Sequence, residues 1–397
     1  MSLVTRYLEL GLALGRHIDG MVDAYYGPPE LRAWAEAAPI QAPAALAEEA
    51  RRLLAELEVD GDLDPARRHW LAAQVRGLWT MARKLAGEAI GYADEVERCY
   101  GVRPEWIPED ELLEAHRRVD DVLPGPDPLA ERYGAWRESQ AVPVEALERA
   151  VTSLAEDLRE RTRSRFGLPE GEAVDFELVT DQPWSGFNYY LGDLRSRVAI
   201  NVDLPVLAPS LAHLVAHEAY PGHHTEHTRK EVGLVRQRDL VEETIFLVGT
   251  PQCLLAEGLA DLGLEVVVPG GAEARADMAA EHLRPLGVPF EPEVVARVAE
   301  AGQRMRQVST NVALLLHEQG ATEDEAAAYA ERWALLPRAR AQKLVSFLTD
   351  PTWRAYTTCY DRGLPLCRDF VGGDPARFER LITEQLTPDQ LTPAAAA

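Results

Sequence analysis

The sequence predicts a mainly helical protein with one small β element. Apolar residues recur every three or four positions over long stretches, as at Leu46, Ala50, Leu53 and Leu57, which is the spacing of one helix face. Clusters of proline and glycine separate these stretches. In a single region the residues instead alternate with a period of two, which is typical of strands.

The helical spacing defines a series of long helices. The predicted ranges are 43–59, 65–99, 143–166, 206–220, 236–248, 252–266, 291–319, 322–335 and 374–386. We expect the whole chain, 1–397, to fold as one unit. If the proline cluster at 124–128 is a linker, it divides an N-terminal helical part, 1–123, from a second part, 129–390.

The β element is predicted from residues 174–180 and 187–202. Both segments alternate and are rich in β-branched and aromatic residues, and Gly192-Asp193 supplies a turn. We therefore expect a small hairpin. It precedes the histidine-rich segment directly.

The charge balance excludes several classes of partner. The chain has 41 Lys and Arg against 65 Asp and Glu, a net charge of −24, so we expect no nucleic-acid partner and no docking on an anionic membrane. No apolar run approaches the ~18 residues of a membrane span. The N-terminus lacks the features of a secretory signal, and the four cysteines form no C-x-x-C pair. These features predict a cytoplasmic protein with reduced thiols.

Five of the ten histidines lie between positions 213 and 227, at His213, His217, His223, His224 and His227. The zinc motif H-E-x-x-H needs two histidines one helical turn apart, with a glutamate that accepts a proton from water. Here Pro221 occupies the second histidine position. A bend at Pro221-Gly222 would bring His223 back towards His217. On an unbroken helix His224 would share the face of His217, but ~10.5 Å further along the axis.

The third ligand is expected from the next helix. Glu257 lies in an apolar helical run and is followed by Gly258 and Ala260, which permit close helix packing. We predict that His217, His223 and Glu257 hold one Zn²⁺ per chain, with His224 as the alternate ligand and Glu218 as the proton acceptor. Two histidines and one glutamate leave a coordination position open, as in catalytic sites. A metal-free, pH-sensing histidine cluster is the alternative interpretation.

These motifs resemble those of bacterial domain-of-unknown-function family 885. His217 to His224 match its H-E-x-x-P-G-H-H signature, and Glu257-Gly258-x-Ala260 matches its E-G-x-A segment. A block from Leu316-His317 to Tyr329 and the pair Tyr360-x-x-Gly363 are similar to two later family blocks. The resemblance covers about 187 to 363.

The resemblance implies a helical, zincin-like fold similar to that of Taq-type thermostable carboxypeptidases, with a deep cleft and a small sheet at its edge. It implies a zinc-dependent peptidase, and it assigns Tyr360 to stabilise the oxyanion, with Tyr356 and His317 as other candidates. Two positions depart from the family pattern. Where family members tend to have Pro-Gly-Gln-Ala, this chain has Arg354-Ala-Tyr356-Thr, and where they tend to have an aspartate, it has Ala313. No substrate specificity is therefore transferred.

Three functional classes follow from these residues. The first is a zinc peptidase, carboxypeptidase-like, that acts on a peptide or small amide substrate. The second is a non-proteolytic metalloenzyme that acts on a metabolite, and the third is a catalytically silent metal-binding scaffold. Glu218 argues against the third, because metal binding alone needs no base beside the first ligand. Candidates to bind a substrate carboxylate are Arg195, Arg197, Arg304, Arg306 and Arg354.

Overall fold

The protein is mainly helical, which confirms that part of the predicted fold class, whereas the zincin-like assignment stays a prediction. The computed structural model describes residues 1–182 and 184–391. None of the helices in this part of the chain is long and apolar enough to cross a membrane.

The first half of the chain contains nine helices and four strands over the residues that the structure describes. In chain order they are α1 (Leu3–Gly15), β1 (Val22–Tyr25), α2 (Pro29–Ala37), α3 (Pro43–Val59), α4 (Pro65–Leu85), α5 (Tyr92–Tyr100), α6 (Glu109–Val122), α7 (Leu129–Ser139), α8 (Val144–Phe166), β2 (Ala173–Val179), β3 (Gly186–Gly192), β4 (Arg195–Asn201) and α9 (Ala208–Glu218).

The second half is almost entirely helical. Its elements are α10 (His223–Lys230), β5 (Ile245–Leu247), α11 (Pro251–Val267), α12 (Gly271–Leu283), α13 (Pro292–Ala301), α14 (Val308–His317), α15 (Glu323–Ala334), α16 (Arg338–Thr349), α17 (Thr357–Val371), α18 (Pro375–Thr383) and α19 (Pro388–Leu391). A π-helical segment, Glu231–Arg236, extends α10, and short 3₁₀ turns lie at Val241–Thr244, Arg284–Leu286 and Arg304–Gln307.

The predicted helices are confirmed where no glycine ends the helix early. Four of them, α3, α8, α11 and α15, have ends within one residue of the prediction. The predicted helix 65–99 is instead two helices, because Gly87 adopts φ +89° after α4 ends and Gly91 caps α5. The predicted helix 291–319 is likewise divided at Gly302 into α13 and α14.

The prediction of a helix at 236–248 is wrong. This segment contains a 3₁₀ turn and then β5, whose three residues are all buried. β5 pairs antiparallel with β1, a second sheet that the sequence analysis missed. A strand buried on both faces lacks alternation, so its apolar run has the same signature as a buried helix segment.

The predicted hairpin is confirmed as β3 and β4, which pair antiparallel around a turn in which Asp193 and Leu194 both have positive φ. β2 adds to the other side of β4 in parallel, so the strand order is β2-β4-β3 and β3 is an edge strand. Asn188 of β3 donates a hydrogen bond from Nδ2 to the main-chain oxygen of Glu218 (2.6 Å). The hairpin therefore borders the predicted site.

Two hydrophobic cores meet along α11. One packs α1, α3, α4 and α5 against β5 and the segments from α14 to α16, and it includes Cys253, Leu254 and Ala256. The other packs α8, α9, α12 and α18, and it includes Leu259 and Ala260. Since α11 contributes to both cores, residues midway along it lie where the cores join. The division of the chain at 124–128 stays a prediction.

α11 and α17 cross at backbone contact. A Cβ on Gly258 of α11 would lie 2.4 Å from the carbonyl carbon of Gly363 on α17. A Cβ on Gly363 would lie 2.6 Å from the carbonyl oxygen of Leu254. Only glycine at both positions permits this crossing, as the sequence predicted for Gly258.

We predict that Gly258→Ala destabilises the fold despite the higher helix propensity of alanine. The methyl group meets backbone rather than a movable side chain, and overpacking of this kind costs about 1–3 kcal/mol. Urea denaturation should show a correspondingly lower free energy of unfolding. Gly134→Ala is the matched control, because a Cβ there meets nothing within 4 Å on helix α7. It should gain about 0.5–1 kcal/mol, and a Gly258→Ala protein as stable as the wild type would contradict the prediction.

Candidate metal centre

A sharp bend follows the first predicted ligand. Helix α9 ends at Glu218, the Tyr220–Pro221 peptide is cis, and α10 begins at His223. The Gly222 amide donates to the carbonyl oxygen of Ala216 (2.9 Å), and a Cβ at Gly222 would lie 1.9 Å from the carbonyl oxygen of His217. Only glycine fits in this bend, which turns His223 back towards His217 as predicted.

The bend and α11 bring three donor groups together. The Nε2 atoms of His217 and His223 are 3.1 Å apart. Glu257 Oε2 lies 3.3 Å from His217 Nε2, and Glu257 Oε1 lies 3.7 Å from His223 Nε2. The donor atoms of all three residues lie within 4.8 Å of one another. Glu257 Oε2 is buried and accepts no hydrogen bond from the described residues, so it is available to a metal ion.

Asp261 holds the first histidine in place. His217 Nδ1 donates to Asp261 Oδ1 (2.9 Å), which directs Nε2 towards the cluster. His213 Nε2 contacts the same oxygen at 3.2 Å. The role of Asp261 was not predicted from the sequence. Its position four residues after Glu257, on the same helix face, was the available signal.

The charges of the cluster suit a cation. Burial lowers the pKa of His223 to about 4, so its imidazole is neutral at pH 7. Burial also acts to lower the pKa of His217, but the hydrogen bond to Asp261 and the nearby carboxylate of Glu257 outweigh it and raise that pKa well above its usual range, so a metal ion at Nε2 would replace a proton. This donor set fits zinc, since it consists of a neutral imidazole, a carboxylate and a histidine held by a second carboxylate.

Glu218 is a buried carboxylate beside this cluster. A Cβ on Gly186 at the start of β3 would lie 3.2 Å from Glu218 Oε1, so the glycine makes room for the carboxylate. Among residues 1–182 and 184–391, no side chain forms a hydrogen bond or an ion pair with this carboxylate. Burial, together with the charges of Glu257 and Asp261, raises the pKa of Glu218 to about 7.

The two candidate tyrosines have different surroundings. Tyr356 donates from Oη to Glu257 Oε1 (2.9 Å) and so orients that carboxylate. Tyr360 packs edge-to-face on Tyr356, with ring centroids 5.5 Å apart, and is 41% exposed. Desolvation by the surrounding protein and the charge of Glu257 raise the pKa of Tyr360 well above its usual range, so its phenol stays protonated and can donate.

His224 and His317 do not join the cluster. His224 is fully buried, and its Nδ1 and Nε2 contact Ser196 Oγ (2.8 Å) and Glu172 Oε2 (3.0 Å). The role of alternate ligand is therefore not supported for His224, because both ring nitrogens are occupied elsewhere. His317 Nε2 contacts the carbonyl oxygen of Leu348 (2.7 Å), and its ring stacks on Tyr92.

Two cavities lie away from the metal cluster. One, of about 340 Å³, is lined by residues that include Tyr26, Gly192 and Arg236, at the far ends of β1 and β3. The other, of about 310 Å³, lies between Gly167 and Gly233. Neither is lined by His217, His223 or Glu257, so the predicted deep cleft at the metal centre stays a prediction.

Comparison with known proteins shows a likeness of fold. No family model and no curated protein matches the sequence. A solved structure, described as a "putative lipoprotein" from Colwellia psychrerythraea, is 15% identical with a TM-score of 0.51 and covers 87% of this chain. This chain spans 65% of that protein. A second solved structure, described as a "putative lipoprotein of unknown function" from Shewanella oneidensis, is 15% identical with a TM-score of 0.47. The match covers 91% of this chain and 74% of that protein.

We predict that His224→Ala destabilises the metal-free protein. The substitution leaves Ser196 Oγ without its His224 partner, removes one of the hydrogen bonds to the buried Glu172 and opens a cavity, with an expected cost of about 2–3 kcal/mol in the free energy of unfolding. Urea denaturation measures it. His213→Ala is the comparison, since that side chain is 45% exposed, and we expect a change within about 1 kcal/mol. Equal losses in the two variants would contradict a structural role for His224.

Proposed function

We propose that this protein is a zinc-dependent hydrolase that cleaves peptide or other amide bonds. The observation that supports the proposal most strongly is the grouping of His217, His223 and Glu257, with donor atoms within 4.8 Å of one another, next to the buried carboxylate of Glu218. A catalytic zinc site has three protein ligands and an open position, and it needs a base beside that position.

Three residues would hold the zinc ion, and two more would orient them. His217 Nε2, His223 Nε2 and one oxygen of Glu257 are the proposed ligands. Asp261 orients His217, and Tyr356 orients Glu257 through its other carboxylate oxygen. Bound zinc would act as a Lewis acid and lower the pKa of water.

Glu218 is the proposed general base. It follows His217 directly, its main chain is held by Asn188, and its carboxylate is free to accept a proton from the attacking water. It would then return that proton to the leaving amine. This role distinguishes the proposal from a silent metal-binding scaffold, in which an unpaired buried carboxylate beside the ligands would only cost stability.

Tyr360 is the proposed donor to the developing oxyanion. Its phenol is protonated and partly exposed, and it lies one helical turn beyond Tyr356, whose own hydroxyl is already bonded to Glu257. The ring of Tyr360 contacts that of Tyr356, which is bonded to Glu257, and this contact supports a position of Tyr360 near the cluster. We therefore propose Tyr360 rather than Tyr356 for this role.

A peptide substrate agrees with the surroundings of Glu218. β3 is an edge strand that passes this residue, and an extended peptide can pair with such an edge.

Four of the five candidate arginines are paired with acids: Arg195 with Asp175, Arg197 with Glu177, Arg304 with Glu111 and Arg354 with Glu95. Arg306 has no such pair in the described chain and is within electrostatic range of Asp261. It is our candidate to bind a substrate carboxylate, as a carboxypeptidase-like activity requires.

The family resemblance supports the same conclusion. The bend at Pro221-Gly222 allows the family-885 signature to supply two histidine ligands without the simple H-E-x-x-H spacing. The zincin-like, Taq carboxypeptidase-like assignment belongs to this proposal. It is consistent with a mainly helical fold and a small sheet beside Glu218.

We predict about one zinc ion per chain. Elemental analysis of His217→Ala, His223→Ala and Glu257→Ala should show that each variant loses most of its zinc, because two ligands bind this metal weakly. His224→Ala should retain zinc in its folded fraction, and His69→Ala, a change far from the cluster, is the neutral control. Full zinc occupancy in a folded Glu257→Ala protein would show that this ligand set is wrong.

We predict that Glu218→Gln keeps its zinc and loses activity. Removal of a general base typically costs on the order of 10²–10⁴ in rate. The test is hydrolysis of a library of peptides and acylated amino acids, repeated on the best substrate with wild type and Glu218→Gln at equal zinc content. Glu170→Gln, an exposed carboxamide substitution, should leave the rate unchanged.

Two results would redirect the functional proposal. Equal rates for wild type and Glu218→Gln would place the activity at another site. A zinc-loaded wild type without turnover of any amide would favour the metabolite enzyme or the silent scaffold.

A further inference from the structure

The contact between α9 and α11 repeats one turn away from the proposed zinc centre. His217 of α9 faces Glu257 of α11, with Nε2 and Oε2 3.3 Å apart. Four residues earlier in α9, His213 faces Asp261, four residues later in α11, with Nε2 and Oδ1 3.2 Å apart. Residues four apart share a helix face and lie ~6 Å apart along the axis. The two helices therefore present two successive histidine–carboxylate pairs.

The second pair has the dimensions of a metal site. Two ligands of a tetrahedral zinc ion, with bonds of about 2.0–2.1 Å, lie about 3.3 Å apart, whereas an N–H···O hydrogen bond is usually about 2.9 Å long. The 3.2 Å between His213 Nε2 and Asp261 Oδ1 is nearer to the first value. The donor atoms of His213, His217 and Asp261 also lie within 4.8 Å of one another.

Asp261 can bind an ion and still hold His217. Both histidines contact the same oxygen, Oδ1, at 3.2 Å for His213 and 2.9 Å for His217. The other oxygen accepts no hydrogen bond from residues 1–182 and 184–391, so the carboxylate keeps lone pairs for a further partner. The side chain of His213 is 45% exposed. The pair is therefore open to solvent, and water can complete the coordination of an ion.

We infer that His213 and Asp261 form a second, weaker Zn²⁺ site. The inference goes beyond the proposed function, because binding at this pair requires no catalysis. The pair supplies two ligands, whereas the first centre supplies three. A single partner outside the ligand set already changes metal affinity about 10- to 100-fold, so the loss of a whole ligand should weaken binding by at least about 100-fold. Dialysis would remove this ion, and the purified chain would still carry about one zinc.

Occupation of the second site would weaken the first. The two ions would lie about one helical turn apart, and the second would draw charge from the carboxylate that holds His217. Coupling between two binding sites is reciprocal, so each ion lowers the affinity for the other. Arg306 also acts electrostatically on Asp261, and its charge opposes the second ion. The second site therefore fills only when zinc is in excess, and its ion inhibits the centre.

The test is a calorimetric titration of the metal-free, full-length protein with Zn²⁺. The wild type should bind one tight and one weak equivalent. His213→Ala should lose only the weak equivalent, and His223→Ala only the tight one, because each residue belongs to a single site. Asp261→Asn should lose the weak equivalent and bind the tight one about 10- to 100-fold less strongly.

His69→Ala is the matched control. His69 is 50% exposed and contacts a carboxylate at a similar distance, with Nε2 3.1 Å from Asp389 Oδ2. It lies outside both sites, so this variant should bind both equivalents. Equal loss of the weak equivalent in His69→Ala and His213→Ala would identify adventitious binding to surface histidines and overturn the inference. A weak equivalent that is absent from the wild type, or unchanged in His213→Ala, would also overturn it.

A kinetic measurement tests the coupling between the sites. On the best amide substrate, zinc beyond the first equivalent should inhibit the wild type, and His213→Ala should resist the same concentrations. Equal inhibition of the two proteins would contradict the coupling. This measurement rests on the proposed function, whereas the titration does not. A titration that shows only the weak equivalent, still dependent on His213, would overturn the ligand set of the first centre and support the second site.

Discussion

The candidate centre depends on the backbone contact between α11 and α17. Gly258 and Gly363 bring the two helices close enough that the residue before Gly258 meets a residue about two turns before Gly363. Glu257 of α11 and Tyr356 of α17 are hydrogen-bonded for this reason, and Tyr360 follows one turn later. Because α11 belongs to both hydrophobic cores, the position of Glu257 is fixed by the packing of most of the protein.

The second constraint is the excess of negative charge around the two histidines. Glu218, Glu257 and Asp261 all act on this small region, and desolvation makes each charge costly. Hydrogen bonds from His213 and His217 offset the burial of Asp261 and keep its pKa below the usual range. A site with this balance favours a cation, which is the physical reason that the charges of these residues support the proposal for zinc.

The sequence predicted the parts of the fold and site that local patterns determine. Uninterrupted apolar spacing located α3, α8, α11 and α15, and the alternation before the histidines located the β3–β4 hairpin. The bend at Gly222 followed from the backbone properties of proline and glycine. Contacts between distant segments could not be predicted this way. β1 and β5 pair across more than two hundred residues.

The two adjacent histidines of the motif show why spacing alone could not assign their roles. After the bend, His223 faces His217, while His224 points to the opposite side of α10 and contacts Glu172 and Ser196. Glu172 also accepts hydrogen bonds from Tyr220 and Arg159, so this network ties α10 to α8, β4 and the bend itself. In the proposed site His223 is the ligand, and His224 helps to hold the backbone of α10 that presents it. The two adjacent histidines therefore differ in the property that each supports, metal binding for His223 and stability of the fold for His224.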